Sequence, residues 1–175
     1  MFGMEIFNGS AKDERYLPRF LHALRQGWWL SPVGSEDEHG TDWGSPDMAK
    51  TVTLASRLDE AGFREAWLAR RTYALRGGYG DLRIHLSAAG QPMGSQLECA
   101  PGGSVPFVAE VQAGAAPVAG LRLYNGAGEI VAQSAENALQ LELPVQAAPD
   151  WYLLQVLTPE GQGAAYAAPV RISPR

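Results

Sequence analysis

The residues best suited to chemistry lie close together in one polar stretch, residues 34–44. Asp37 and His39 are separated there by a single residue, so in an extended segment both side chains point the same way. A carboxylate and an imidazole on one face are ligands that suit Zn, Mn or Fe. A solvated acidic loop, whose histidine happens to lie among carboxylates, explains the same pattern, because the spacing of two residues is weak evidence.

Four neighbouring residues are candidates for lining a pocket at this stretch. Glu36 and Asp42 could serve as an outer ligand or a proton shuttle, and Trp43 follows the two candidate ligands closely in sequence. Asn8 ends a strand that we expect beside the one preceding Asp37. Packing or solvation is the simpler explanation for each of these residues, and no residue is assigned a catalytic role.

The elements that position this stretch alternate between strand-like and helical patterns. Such alternation favours α/β layering with a parallel sheet, where sites form at the carboxyl ends of the strands. About 75 residues are too few for a whole (β/α) barrel, which needs roughly 200 or more. The expected elements are strands over 4–7, 28–33 and 51–55 and helices over 16–25 and 58–70.

The remainder of the chain has a different texture, with no convincing helix and only 4 of the 14 basic residues after Gly80. Turn signals such as Asn125-Gly126 separate seven short strand-like runs, a pattern typical of an immunoglobulin-like sandwich. Three glycines within residues 77–80 favour a turn. We therefore predict two domains, residues 1–76 and 77–175. The expected strands of the second domain cover residues 82–87, 105–112, 120–124, 129–133, 138–143, 151–157 and 164–172.

Composition and charge exclude several classes of protein. The chain has 175 residues, of which 46% are hydrophobic, and its net charge is -5 with no basic stripe, so we expect no nucleic-acid partner. No run approaches 18 apolar residues, so we expect no membrane span. The first ten residues do not have the pattern of a signal peptide, and the compartment stays unknown because the natural start could lie upstream. The single Cys99 cannot form an internal disulfide.

An ordered set of segments resembles the end of a PHP domain, the polymerase and histidinol phosphatase superfamily. The set comprises residues 5–9, residues 27–35, Asp37-Glu38-His39-Gly40, residues 66–74 and residues 90–95. The resemblance is greatest to the CehA/McbA-like metallohydrolases and covers residues 4–96. It implies a partial (β/α) PHP-type barrel segment followed by the β-rich domain of that branch. The expected fold is therefore α/β plus all-β.

The resemblance also implies a function and a set of ligands. In PHP enzymes the final Asp-x-His motif binds metal, so Asp37 and His39 would hold a divalent ion used to hydrolyse a small ester, carbamate or phosphoester. The His-x-His motif that opens PHP domains is absent, and His22 and His85 are better explained as surface residues of a helix and a strand. We therefore expect the C-terminal piece of a longer hydrolase, inactive or incomplete alone, with metal bound weakly or not at all.

A second hypothesis belongs to a different class, a binding protein without catalysis. Its β-sandwich would recognise a carbohydrate or a protein through exposed aromatic residues, although aromatic residues in strands usually belong to the core. A partial α/β sheet would also leave a strand edge uncovered, so self-association or pairing with another chain is expected. The candidate aromatic residues are Tyr79, Tyr124, Trp151, Tyr152 and Tyr166.

Overall fold

Strands dominate the fold, at 43% of the chain against 10% helix. The structure, a computed structural model, describes residues 1–10 and 14–175. Its elements are β1 (Gly3–Asn8), α1 (Leu17–Arg25), β2 (Ser31–Ser35), β3 (Lys50–Thr53), α2 (Glu60–Leu68), β4 (Thr72–Leu75), β5 (Arg83–Ala88), β6 (Gln91–Pro92), β7 (Gln96–Cys99), β8 (Ser104–Gln112), β9 (Leu121–Tyr124), β10 (Ile130–Ser134), β11 (Ala138–Pro144), β12 (Asp150–Leu157), β13 (Gly163–Ala167) and β14 (Val170–Pro174). Neither described helix is long and apolar enough to cross a membrane.

The prediction of an α/β fold with a partial (β/α) PHP-type barrel is wrong. Within the described ranges, parallel pairing joins β1 to β2 and β7 to β14, and every other strand pair is antiparallel. Although α2 connects β3 to β4, these two strands also run antiparallel. The order of strands and helices along the chain does not specify strand direction, and here it suggested a parallel sheet that does not form.

Two sheets face each other across the main core. The larger sheet has the order β10-β9-β12-β13-β4-β3, with β14 and β7 joined through β12, and the smaller one has the order β11-β8-β5-β6. Buried and exposed residues alternate along β5 and β8, so Leu86 and Phe107 enter the core while His85 faces solvent. The prediction of sandwich-like β structure in this part of the chain therefore holds.

One sheet includes strands from both sides of the predicted boundary at residues 76 and 77. Ala74 of β4 lies opposite Tyr166 of β13 in an antiparallel pair, and Tyr73 belongs to the main core. All four residues of β4 are buried because both faces of this strand are covered: Tyr73 and Leu75 pack in the main core, and Ala74 packs in a second cluster on the other face. The division into two domains stays a prediction, and any such domains share a continuous sheet.

A second core attaches the amino-terminal elements to the larger sheet. Phe7 of β1, together with Phe20 and Leu24 of α1, packs in a buried cluster that also contains Trp151 and Tyr166. The parallel β1–α1–β2 unit is thereby fixed against the larger sheet. Among described strands β1 pairs only with β2, and the predicted pairing through an uncovered strand edge stays a prediction.

Helix α2 begins after the capping residue Asp59. The side chain of Asp59 accepts a hydrogen bond from the backbone nitrogen of Gly62 at 2.7 Å, satisfying one donor of the first turn. Ala66 is fully buried, whereas Phe63 is 52% exposed and contacts the ring of Trp67. The apolar face of this helix is therefore only partly covered.

Candidate functional site

The candidate site begins where the parallel strands β1 and β2 end. Asn8 and Ser35 are partners in the register of these strands, and both donate hydrogen bonds to Oε1 of Glu5. The backbone nitrogen of Gly9 donates to the carbonyl of Ser35 at 2.8 Å. The two strand ends are thus held together, and the chain leaves β2 directly into the polar stretch that carries Asp37. The amide of Asn8 is engaged with Glu5.

Asp37 and His39 lie side by side in this loop. Nε2 of His39 is 3.3 Å from Oδ1 of Asp37, and the two side chains are 87% and 57% exposed respectively. Asp37 has a positive φ of 49°, a conformation that aspartate tolerates better than most residues. The sequence prediction that the two groups point the same way agrees with this geometry, although the local backbone is a loop and not a strand.

The donor set of this pair fits a divalent metal as two of its ligands. Two ligand atoms of one tetrahedral zinc ion, each about 2.1 Å from the metal, lie about 3.4 Å apart. The separation of 3.3 Å between Nε2 of His39 and Oδ1 of Asp37 is close to that spacing, and it is also the distance of a direct contact between an imidazole and a carboxylate. The described residues contain no cluster of three or more His, Cys, Asp or Glu side chains that could hold a metal. Further ligands would have to come from elsewhere.

Glu36 organises the loop. Its carboxylate binds Nζ of Lys50 at 3.0 Å and accepts a hydrogen bond from the backbone nitrogen of Gly44 at 2.8 Å. The hydrogen bond from Gly44 and then that from Lys50 lower the pKa of Glu36. The residue proposed as an outer ligand or proton shuttle therefore connects both ends of the loop to the start of β3, and it stays ionised at neutral pH.

The other predicted pocket residues are open to solvent. Asp42 is exposed, and the side chain of Trp43 is 73% exposed. Oε1 of Glu38 accepts a hydrogen bond from the backbone nitrogen of Gly40, which tightens the turn after His39. Trp43 therefore lies at the surface of the loop and lines no enclosed pocket among the described residues.

Comparison with known proteins adds no relative. No family model, curated protein or solved structure matches this chain. The resemblance to PHP enzymes thus rests on the sequence segments alone, and the arguments about function rest on the geometry of individual residues. Among those residues, Asp37 and His39 are the candidate ligands whose side chains lie next to each other in the structure.

The aromatic residues suggested for carbohydrate recognition do not form an exposed platform. Trp151, Tyr152 and Tyr166 are buried, with at most 8% of their surface exposed, and Tyr79 and Tyr124 are half-buried. Burial raises the pKa of Tyr166 far above its ordinary value, with the neighbouring Glu14 carboxylate as a further cause. These rings serve the two cores, which removes the main reason for assigning them to a binding face.

Sequence reasoning missed a cleft on the larger sheet. The cleft has a volume of about 650 Å³, and its most unusual lining residue is Arg76, which is 6% exposed. Gly77 is required beside it, since a Cβ there would come within 1.9 Å of the carbonyl oxygen of Asp47. The sequence signal that could have indicated this cleft is an arginine, Arg76, that directly follows an apolar strand and precedes two glycines. The lining residues are Ser10, Asp47, Arg76, Gly77, Tyr79, Thr158, Glu160 and Gln162.

Proposed function

We propose that this chain is part of a metal-dependent hydrolase and corresponds to its C-terminal portion. Asp37 and His39 act in this proposal as two ligands of a divalent ion such as Zn, Mn or Fe. The observation that carries the proposal is their separation of 3.3 Å at the carboxyl ends of a parallel strand pair. Sites commonly form at such strand ends in structures that contain a β–α–β unit.

The proposal requires ligands from outside the described residues. Catalytic metals generally have three or more protein ligands, and the described residues offer two at this position. The exposure of both side chains supports this interpretation, because a second polypeptide segment or subunit can reach them without disturbing the core. Alone, the chain would bind metal weakly and would not complete a hydrolytic site.

The surrounding residues hold the two ligands in place. Glu36 and Lys50 connect the loop to β3, and the hydrogen bonds of Asn8 and Ser35 to Glu5 join the strand ends beneath it. When bound, a divalent ion would activate water and polarise the ester, carbamate or phosphoester bond of a small substrate. Asp37 contributes negative charge, and His39 must be neutral at Nε2 to donate its lone pair to a metal.

Cobalt(II) absorption and calorimetry with Zn²⁺ test the proposal without any activity. We expect weak binding to the wild-type chain and a loss of affinity of about tenfold in both Asp37→Asn and His39→Ala, because each variant removes one of two ligands. His85→Ala is the matched control, since His85 is an exposed histidine on β5. Equal affinity in all four proteins would refute the assignment.

Hydrolysis supplies a second test. We expect the isolated chain to hydrolyse model esters no faster than the double variant Asp37→Ala, His39→Ala, because two ligands do not make a working site. Robust turnover that the double variant retains would show that the activity lies elsewhere in the molecule. Turnover that the double variant abolishes would contradict the incomplete site.

A further inference from the structure

The cleft beside β4 contains a buried cation with unused hydrogen-bonding capacity. The guanidinium of Arg76 is held by Gln162, whose Oε1 accepts from Nη1 at 2.8 Å. Nε and Nη2 of Arg76 are both buried and have no hydrogen-bond partner in the structure as described. Buried polar groups are nearly always satisfied, so two free donors on one side chain call for an explanation.

The two free nitrogens form one edge of the guanidinium plane. Nε–H and one N–H of Nη2 point in parallel, which is the arrangement that binds both oxygens of a carboxylate. Gln162 occupies the other terminal nitrogen, and the Nε–Nη2 edge has no partner among the described residues. Because both nitrogens of this edge are buried, a ligand in the cleft reaches them only when a side chain of the cleft wall moves aside. The backbone nitrogen of Arg76 also donates to the carbonyl of Ala164 at 2.9 Å, which fixes the start of the side chain. The arginine is therefore already oriented before a ligand arrives.

The charges around the cleft select among anions. Asp47 and Glu160 line it together with Arg76, so one cation is accompanied by two carboxylates. The hydrogen bond from Thr158 and, to a smaller extent, the positive charge of Arg76 lower the pKa of Glu160, which keeps it ionised. A dianion such as phosphate would be repelled by these carboxylates. A ligand that carries an ammonium group next to its own carboxylate would be attracted by both signs of charge.

We propose that this cleft binds a small zwitterion of the amino-acid class, with its carboxylate on the Nε and Nη2 edge of Arg76 and its ammonium group towards Asp47 and Glu160. The volume of about 650 Å³ leaves room for a side chain on such a ligand. Tyr79 and Thr158 add an aromatic ring and a hydroxyl to the wall. This site is separate from the Asp37–His39 pair and does not depend on the proposed hydrolase function.

Calorimetry with L-alanine, propionate and inorganic phosphate tests the proposal on the full chain. Alanine and propionate differ by one ammonium group, so their comparison measures the contribution of the two carboxylates. We expect saturable binding of alanine, about tenfold weaker binding of propionate, and weaker binding still of phosphate. Alanine binding no tighter than propionate or phosphate binding would overturn the proposal.

Variants assign the binding to its residues. Arg76→Lys keeps the charge but loses the paired donors, and we expect alanine affinity to fall about tenfold. Arg122→Gln is the control, because Arg122 also pairs with a glutamine, Gln133, but lies outside the cleft.

Glu160 is exposed, so Glu160→Gln should fold normally and reduce the preference for alanine over propionate severalfold. Unchanged affinities and preference in the Arg76 and Glu160 variants would refute the assignment even if alanine binds. Asp37→Asn should leave alanine binding unaltered, which separates this site from the metal ligands.

Discussion

The hydroxyl of Tyr166 donates a hydrogen bond to Oε1 of Glu14 at a distance of 2.7 Å, joining residues 152 positions apart. The same carboxylate oxygen also accepts from the backbone nitrogen of Gly163, and Nε2 of Gln155 donates to the Tyr166 hydroxyl at 2.6 Å. This buried polar network connects the segment before α1 to β12 and β13. It explains how the amino-terminal unit is oriented on the larger sheet.

Glu14→Ala should therefore destabilise the protein. The substitution leaves the buried Tyr166 hydroxyl and the Gly163 nitrogen without their acceptor, so we expect a loss of about 2–3 kcal/mol in the free energy of unfolding. Urea denaturation followed by tryptophan fluorescence measures this loss. Glu136→Ala is the control, since Glu136 is exposed in the turn after β10 and should change stability little. Equal stability of the two variants would contradict a structural role for the network.

Alkaline pH should unfold the protein through Tyr166. Burial raises the pKa of this tyrosine in the folded state, whereas in the unfolded chain it stays near about 10. Above that pH the unfolded state binds fewer protons than the folded state, so stability is complete below pH of about 10 and falls as pH rises further. Tyr166→Phe should show a flatter decline between pH of about 10 and 11, measured by urea denaturation at each pH. A decline as steep as that of the wild type would locate the effect in other groups, such as Tyr73 or Tyr152, whose pKa values are also raised by burial.

Lys50→Met should weaken the predicted metal ligands indirectly. Glu36 would lose its ion pair with Lys50 and keep the hydrogen bond from Gly44, so the loop would no longer be connected to the start of β3 through Glu36. The pKa of Glu36 would move up towards its ordinary value, because Lys50 lowers it. We expect Zn²⁺ affinity to fall by about threefold to tenfold and NMR titration to report the change in pKa. Arg57→Met is the control, because it removes a surface ion pair with Asp59 away from the loop. An unchanged pKa would show that Lys50 does not act on Glu36.

Gly34→Ala should disrupt the contact between β2 and β3. A Cβ at this position would lie 2.6 Å from the carbonyl oxygen of Lys50, a backbone atom that cannot rotate away. We expect a destabilisation of about 1–3 kcal/mol by thermal or chemical unfolding, as is usual for overpacking. The control is Gly80→Ala, where the nearest atom is the side-chain Cε of Lys50 at 3.7 Å. Equal destabilisation by the two substitutions would mean that β2 and β3 can move apart at Gly34 with little loss of stability.

Local features were predictable from the sequence because they depend on neighbouring residues. The alternation of apolar residues along residues 105–112 identifies the strand β8 and its buried face, since side chains alternate in any strand. Asn125-Gly126 marks the hairpin between β9 and β10, which pair antiparallel. The spacing of Asp37 and His39 indicated that their side chains lie together, because two residues so close in sequence have few ways to separate.

Strand direction and burial of distant charges were decided only by the tertiary structure. The sequence of strands and helices suggested a parallel α/β layer, yet β3 and β4 pair antiparallel. The other edge of β4 pairs with β13, a strand about ninety residues later that no local pattern connects to it. Arg76 becomes a buried cation for the same reason, since the loop that supplies Gln162 and Glu160 comes from far along the chain. Periodicity describes one segment at a time, whereas the free energy of burying apolar surface depends on every segment that shares the core.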